Sequence, residues 1–104
     1  MKLREIAHCR AGDKGNTSNI SVIPYDENHY EYLKQNLTIE TVKAAFKDIV
    51  QGDIVRYDLP NIHAFNFVLY DALGGGVTTT LSMDIHGKSL SSIMCNINLP
   101  DIRD

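Results

Sequence analysis

The segment DENHYEYLKQNLTIETVKAAFKDIV, residues 26–50, carries an apolar side chain at almost every third or fourth position. The repeat consists of Tyr30, Leu33, Leu37, Ile39, Val42, Phe46 and Ile49. This spacing is typical of helices that bury one face. Asp26 and Thr38 are suitable N-cap residues, because their side-chain oxygens can accept a backbone hydrogen bond. The segment therefore predicts two consecutive helices with a break near Asn36.

Extended segments lie on both sides of this helical region. Before it, the run from Leu3 to Cys9 predicts a first strand, and the alternation of Ile20 and Val22 predicts a second strand that ends at Pro24. After it come DIVRYDLP, residues 53–60, and IHAFNFVLYDAL, residues 62–73. A Pro-Asn pair separates these two segments, and such pairs favour turns, so we expect a β-hairpin.

The carboxy-terminal third predicts one more helix and one more strand. Val77, Leu81 and Ile85 fall on one helical face. The segment KSLSSIMCNINLP, residues 88–100, alternates apolar residues with small or polar ones and ends in Pro100, which predicts a last strand.

This order of elements predicts the fold class. After the first strand it reads strand, helix, strand, strand, helix, strand, which is the split βαβ order of an α+β, ferredoxin-like fold. We expect an antiparallel sheet with helices on one face and an additional amino-terminal strand. The other face of such a sheet needs a cover. We therefore expect the chain to form a homo-oligomer or to bind a larger protein.

Length and composition exclude several classes of protein. The 104 residues fit one domain over 1–104, and the formal net charge is -3 with no cluster of Lys and Arg, so nucleic acid is not an expected partner. Charged residues interrupt the amino-terminal sequence, which argues against a signal peptide or membrane span and favours the cytoplasm. Cys9 and Cys95 form no C-x-x-C pair, and no histidine has metal-ligand spacing. We expect no metal and no cofactor.

The polar stretch RAGDKGNTSN, residues 10–19, is the first candidate site. We interpret it as a long loop between two strands. Its candidate ligand-binding residues are Arg10, Asp13, Lys14, Asn16 and Asn19. Two cationic side chains beside several neutral hydrogen-bonding groups suit a carboxylate or phosphate. The alternative is that Asp13 and Asn16 satisfy the amides of a turn while Lys14 is solvated.

Two further groups of residues are candidates for the same site. The glycines Gly74, Gly75 and Gly76 would let an anion approach the backbone at a helix start, although they would equally suit a tight strand-to-helix turn. Asparagine is disfavoured in strands, so Asn61 or Asn66 is expected to face a site. Asn61 also suits a turn.

Four blocks of the sequence carry a resemblance to a known family. They are REIAHCRAGDKGNTSNISVI, RYDLPNIHAFNFVL, ALGGGVTTTLSMD and HGKSLSS. Together they resemble the AtuA-like ferredoxin-fold domain, the small carboxy-terminal domain of the acyclic terpene utilisation family. The resemblance implies a protein that works beside a much larger domain in the catabolism of branched acyl-CoA acids. It identifies no catalytic residue, and the chain departs at His63 from the family's Asn-rich pattern after the Leu-Pro turn.

Three functions follow as hypotheses. The first is an accessory subunit or detached domain of an AtuA-type enzyme, which contributes an anion-binding loop to a site shared with a larger AtuA-type protein and takes an acyl-CoA or carboxylate ligand. The second is a non-catalytic assembly module. The third is a small independent enzyme, for which the sequence offers no recognisable nucleophile, metal set or pair of carboxylates. We expect no catalysis by this chain alone.

Overall fold

The structure is a computed structural model that describes residues 1–14, 17–47, 49–50, 52–70 and 90–102. Its strands are β1 (Ala7–Lys14), β2 (Thr17–Pro24), β3 (Ile54–Leu59) and β4 (Ala64–Leu69). Its α-helices are α1 (Tyr30–Asn36), α2 (Ile39–Ala45) and α3 (Leu90–Cys95). Short 3-10 helices cover Leu3–Glu5, Glu27–His29 and Pro60–Ile62. The glycines Gly74 to Gly76 and the helix predicted around Val77 to Ile85 lie outside the described residues.

The four strands form one antiparallel sheet in the order β1-β2-β4-β3. Because β4 pairs antiparallel with both β2 and β3, these two strands run parallel on either side of it, and α1 and α2 connect them. This is the split βαβ arrangement, and it confirms the predicted α+β, ferredoxin-like fold. β1 is the additional amino-terminal strand, and it occupies the edge beside β2.

The helical region begins and breaks where the sequence predicts. Asp26 accepts a hydrogen bond from the backbone N–H of Asn28 at 2.9 Å, and Thr38 Oγ1 accepts one from Thr41 at 3.2 Å. Between the helices Leu37 leaves helical geometry, with φ -90° and ψ 69°. Local capping chemistry is thus sufficient to set these boundaries.

All three helices pack against the same face of the sheet. The register places Ile20, Phe67 and Arg56 on that face, and Ile20 and Phe67 are fully buried. The core comprises Leu3, Ile6, Ala7, Cys9, Ile20, Val22, Tyr30, Leu33, Leu37, Val42, Phe46, Ile54, Phe65, Phe67, Leu69, Leu90, Met94, Ile97 and Leu99. α3 covers β1, and α2 covers β3.

The interpretation of residues 10–19 as a long loop is wrong. Arg10 to Lys14 belong to β1, and Thr17 to Asn19 belong to β2. Lys14 pairs with Thr17, so only two residues separate the paired ends. The physical reason is a period of two among the described side chains: Cys9, Ser18 and Ile20 are buried toward the helices, whereas Arg10 and Asn19 are exposed on the other face.

The predicted carboxy-terminal strand is also wrong, because Leu90–Cys95 is a helix. The same residues carry a helical repeat, and Leu90, Met94 and Ile97 are buried along it. Among the described residues, the expected strand pairing is reduced to one isolated bridge, between Lys2 and Asn98. The predicted first strand begins later than expected, at Ala7.

The amino-terminal residues are fixed against this carboxy-terminal segment. The Leu3 N–H donates to the carbonyl of Ile97 at 2.9 Å, and the Leu99 N–H donates to the carbonyl of Met1 at 2.8 Å. The Met1 ammonium donates to the carbonyl of Leu99 at 2.7 Å. Within the described ranges, no helix has the length and apolar composition that a membrane span requires.

Candidate functional site

The face of the sheet opposite the three described helices is the candidate site, and we call it the open face. Alternation along each strand selects its side chains, because neighbouring residues of a strand point to opposite faces. The open face comprises His8, Arg10, Thr17, Asn19, Ser21, Ile23, Val55, Tyr57, Leu59, Ala64, Asn66 and Val68, of which Ala64 is buried. It combines polar groups with apolar ones.

One row of polar side chains crosses the open face from edge to edge. Arg10 pairs with Ser21, Ser21 pairs with Asn66, and Asn66 pairs with Tyr57. Arg10 is exposed and Tyr57 is 50% exposed, whereas Ser21 and Asn66 are half-buried between them. We call these four residues the polar row. It offers a guanidinium, two hydroxyls and an amide to one ligand.

The next row of the open face is less polar. Gly12 pairs with Asn19, Asn19 with Val68, and Val68 with Val55. A Cβ atom placed on Gly12 would lie 3.5 Å from Asn19 Oδ1, which is an ordinary contact distance. A methyl group at Gly12 would therefore fit beside the Asn19 amide, so packing does not require a glycine at that position.

The charge of the open face differs in sign from the charge of the chain. The chain has a formal net charge of -3, yet none of the described strand side chains on this face is a carboxylate. Asp58 of β3 lies on the helix-covered face, where its carboxylate is 2.8 Å from Arg56 Nε. Arg10 thus has no carboxylate among its described neighbours on the open face, and its guanidinium is suited to bind an anionic group.

The structure brings together three of the residues predicted from the sequence. Arg10, Asn19 and Asn66 lie on the open face, in adjacent rows of the sheet. Asn61 lies in the connection between β3 and β4, beyond the last paired residues of that ladder. The backbone of Asp13 and Lys14 belongs to β1. Asn16, Gly74, Gly75 and Gly76 lie outside the described residues.

Ser21 and Tyr57 were not among the ligand-binding residues predicted from the sequence. Each lies in the middle of a strand. Ser21 follows Asn19 by two residues in β2, and Tyr57 follows Val55 by two residues in β3, so each lies on the same face as that neighbour. Alternation within each strand could have assigned both to a face. Their convergence depends on the β2–β4 and β3–β4 registers, which a single sequence does not specify.

A second polar cluster, on the helix-covered face, has a structural role. Arg56 donates from Nη1 to the carbonyls of Lys34 and Leu37 at 3.0 and 3.1 Å, and its guanidinium lies 5.5 Å from the centre of the Phe65 ring. These bonds satisfy carbonyls that the end of α1 leaves free. Arg56 therefore fixes the end of α1 to β3. A cleft of about 380 Å³ beside it is lined by Lys34, Thr38, Ile39, Glu40, Arg56 and Asp58.

His63 has a left-handed backbone, with φ 51° and ψ 50°. Its ring meets Tyr30 edge-on at 5.6 Å, and its Nδ1 is 3.6 Å from a Glu27 carboxylate oxygen. Asparagine adopts this conformation more readily than most residues. Histidine is also among the residues enriched in this conformation, so the backbone at this turn accommodates His63.

The described part of the chain holds no group of three or more His, Cys, Asp or Glu residues that could bind a metal ion. No curated protein and no solved structure matches the chain. The profile of the AtuA ferredoxin-like domain matches residues 1–100, which include every strand and helix described above. The chain therefore belongs to the AtuA ferredoxin-like domain family.

Proposed function

We propose that this protein is an accessory subunit or detached domain of an AtuA-type enzyme of acyl-CoA or branched organic acid catabolism. Its open face contacts the larger AtuA-type protein, and Arg10 contributes an anion contact to a site that the two chains share. The polar row supports this proposal, because it places a guanidinium beside neutral donors on a face where none of the described strand side chains is a carboxylate. The proposal includes a cytoplasmic location.

The chemistry of the polar row suits a carboxylate or phosphate oxygen. A guanidinium can donate two parallel hydrogen bonds to such a group, and charge-assisted bonds are stronger than neutral ones. The Ser21 hydroxyl, the Asn66 amide and the Tyr57 hydroxyl would complete the contacts of the remaining oxygens. Lys14 at the end of β1, with Asn16, Gly74, Gly75 and Gly76, is the proposed continuation of this anion contact, and Asp13 would orient Lys14 or accept a ligand hydroxyl.

The apolar part of the open face suits a protein partner. Ile23 and Leu59 are each 38% exposed, and Tyr57 lies among the polar groups. Aromatic residues and Arg are enriched in the centre of protein interfaces, and Asp and Glu are depleted there. A surface of this composition would dock against a larger chain while Arg10 contacts the bound ligand.

The alternative is an assembly module that forms a homo-oligomer through the same face. The exposed Ile23 and Leu59 favour it. This alternative has an electrostatic cost, because two copies that meet face to face would bring Arg10 near a surface whose described strand side chains include no carboxylate. A partner that supplies an anionic group removes this cost. A small independent enzyme is the least supported of the three functions.

Co-expression with an AtuA-type large protein from the same genome tests the proposal. The tagged large protein should retain this chain, and Arg10→Ala should weaken the complex about tenfold, roughly 1.4 kcal/mol of binding free energy. The matched control is Arg4→Ala, since Arg4 is also exposed but lies in the 3-10 helix Leu3–Glu5, outside the open face. Failure to recover a complex, or equal losses for both variants, would count against the proposal.

A further inference from the structure

β3 forms one edge of the sheet that the structure describes. It pairs with β4 on one side, and none of the described strands lies on its other side. The Tyr70 N–H donates to the Asp53 carbonyl at 2.9 Å, just before β3 begins. Because the backbone groups of an antiparallel strand alternate in direction, those of Ile54, Arg56 and Asp58 point away from β4. β3 thus presents donors and acceptors along its outer edge that suit pairing with another strand.

The side chains of β3 do not protect this edge from pairing. Natural edge strands are commonly protected by Lys, Pro or a bulge. The residues of β3 include no Lys or Pro, and they pair with β4 without a bulge. Tyr57 is 50% exposed and Leu59 is 38% exposed, and both lie on the open face beside the half-buried Val55. The strand therefore combines an accessible backbone with accessible apolar groups.

We propose that two copies of this chain pair through these edges, with their β3 strands antiparallel and with Tyr57 opposite Tyr57 of the second copy. The two four-stranded sheets then form one continuous sheet, and a twofold axis normal to it passes between the two tyrosines. The open faces of both copies lie on the same side of this sheet and remain accessible. The inference therefore stands or falls independently of the proposed function.

The charges of β3 select this register. A twofold axis normal to the sheet places side chains of the same face opposite each other, so one residue must lie opposite itself. An axis at Arg56 would oppose two guanidiniums, and an axis at Asp58 would oppose two carboxylates. Like charges in opposite positions destabilise a sheet. An axis at Tyr57 places Arg56 opposite Asp58, so opposite charges meet.

The apolar residues of β3 favour the same register. With the axis at Tyr57, Val55 lies opposite Leu59 of the second copy, so apolar side chains meet on the open face. An axis at Val55 would leave the strand from Tyr57 to Leu59 beyond the paired residues. The axis at Tyr57 therefore matches both the charged and the apolar positions.

The backbone directions agree with this register. The outward groups of Arg56 lie opposite those of Asp58 of the second copy, so the two residues can exchange a pair of hydrogen bonds. The two tyrosines then form a non-hydrogen-bonded pair, in which side chains approach more closely. Aromatic pairs at such positions stabilise a sheet. Since Tyr57 ends the polar row at this edge, the polar rows of the two copies also become continuous.

The cleft beside Arg56 extends the contact on the helix-covered face. Ile39 in this cleft is 39% exposed, and Lys34 and Glu40 supply charges of both signs. Because α2 covers β3, the twofold axis brings the two α2 helices and their clefts to adjacent positions. Burial of Ile39 between the copies would add apolar area to the backbone pairing.

Analytical ultracentrifugation of the purified full chain tests the inference. Wild-type protein should form a concentration-dependent dimer. Leu59→Glu should weaken it about tenfold or more, because the new carboxylate faces Val55 of the second copy. Ile23→Glu is the matched control, since Ile23 is also 38% exposed on the open face but lies in β2. A wild-type monomer at high micromolar concentration, or an equal loss from Ile23→Glu, would overturn the inference.

A charge exchange tests the register. Val55→Lys alone should weaken the dimer about tenfold, and combination with Leu59→Glu should recover most of the affinity, because each new ammonium then lies opposite a new carboxylate. Within one chain the two positions are about 13 Å apart along the strand, too far for a direct ion pair. Circular dichroism establishes that each variant is folded. Tyr57→Lys, which opposes two ammonium groups at the axis, replaces Val55→Lys if that variant does not fold, and it should also weaken the dimer.

Two results would contradict the register. One is a folded double variant that dimerises no better than Leu59→Glu alone. The other is a folded Tyr57→Lys variant that dimerises as well as wild type.

Discussion

Ser21 lies directly opposite Asn66 in the β2–β4 ladder, and its hydroxyl donates a long hydrogen bond of 3.5 Å to Asn66 Oδ1. The pair occupies the centre of the polar row, between Arg10 and Tyr57. A bond of this length is weak, so both groups retain capacity for a shorter bond to a ligand. The position of Asn66 also explains why an asparagine occurs within a strand, because its amide lies on a polar part of the open face.

Gly52 should be sensitive to a single methyl group, and Gly12 should not. A Cβ atom on Gly52 would lie 2.8 Å from the Tyr70 carbonyl oxygen, whereas one on Gly12 would lie 3.5 Å from its nearest neighbour. Gly52→Ala should lower the free energy of unfolding by about 1–3 kcal/mol, the usual cost of overpacking. Gly12→Ala should leave it unchanged or raise it by about 0.5 kcal/mol, because alanine restricts the unfolded chain. Urea unfolding measures both, and equal effects would contradict the assignment.

The left-handed backbone at His63 predicts an order of stability between two variants. His63→Gly and His63→Ala both remove the ring contact with Tyr30, but only alanine meets a steric penalty at φ 51°. The glycine variant should therefore be the more stable by about 1 kcal/mol. Thermal unfolding of the two proteins decides the point. An alanine variant as stable as the glycine variant would show that this position is not held in the left-handed conformation.

Arg56 should contribute to stability through the end of α1. Arg56→Ala leaves the carbonyls of Lys34 and Leu37 without their donor and Asp58 without its cation, and should cost about 2–3 kcal/mol. Arg56→Lys should recover only part of this, because an ammonium lacks the forked donors of a guanidinium. The surface control Arg4→Ala should stay within about 0.5 kcal/mol of wild type. Chemical denaturation separates these outcomes, and a neutral Arg56→Ala would remove its structural role.

Alkaline pH should destabilise the protein in part through Cys9. Its folded pKa is raised, chiefly by burial, while an unfolded thiol titrates near about 8.5. Above that value the unfolded chain loses the proton and the folded chain keeps it, so stability is complete below about pH 8.5 and falls as pH rises toward the folded pKa. Cys9→Ala should remove part of this slope, although it lowers stability overall. Identical slopes for the two proteins, measured by urea unfolding across this pH range, would contradict the burial of the thiol.

Tyr32 also contributes to the loss of stability at alkaline pH, and its contribution must be separated from that of Cys9. Its hydroxyl donates to the Pro100 carbonyl, and burial followed by the Asp101 carboxylate raises its pKa. Its effect therefore begins near the usual tyrosine value, about pH 10, higher than that of a thiol. Measurements below that pH report mainly on Cys9.

Local signals in the sequence predicted much of the fold. The caps at Asp26 and Thr38, the strand end at Pro24 and the Pro-Asn turn before β4 each act through residues adjacent in the chain. The carboxy-terminal segment was ambiguous, because Ile93 and Cys95 alternate while Leu90 and Met94 repeat as in a helix. Burial against β1 decided in favour of the helix, and such tertiary contacts cannot be read from one sequence.

The sequence identified several residues of the candidate site by their chemistry, but it did not predict that they share one face of the sheet. Arg10, Asn19 and Asn66 were selected for their chemistry, but they were assigned to loops and strand ends. Their common face follows from the pairing of β2 with β4, strands separated by both helices of the crossover. A contact of that range leaves no local signal, which is why the sequence did not assign Ser21 and Tyr57 to the ligand-binding residues.

Binding of the AtuA-type large protein to an isosteric pair of variants tests the central claim most directly. Asn19→Asp adds a carboxylate to the open face, and Asn28→Asp adds the same group to an exposed position in the 3-10 helix before α1. If the open face receives an anionic group or partner surface, Asn19→Asp should weaken binding about tenfold, roughly 1.4 kcal/mol, while Asn28→Asp matches wild type. Unchanged binding by Asn19→Asp, or a larger loss from Asn28→Asp, would contradict the account.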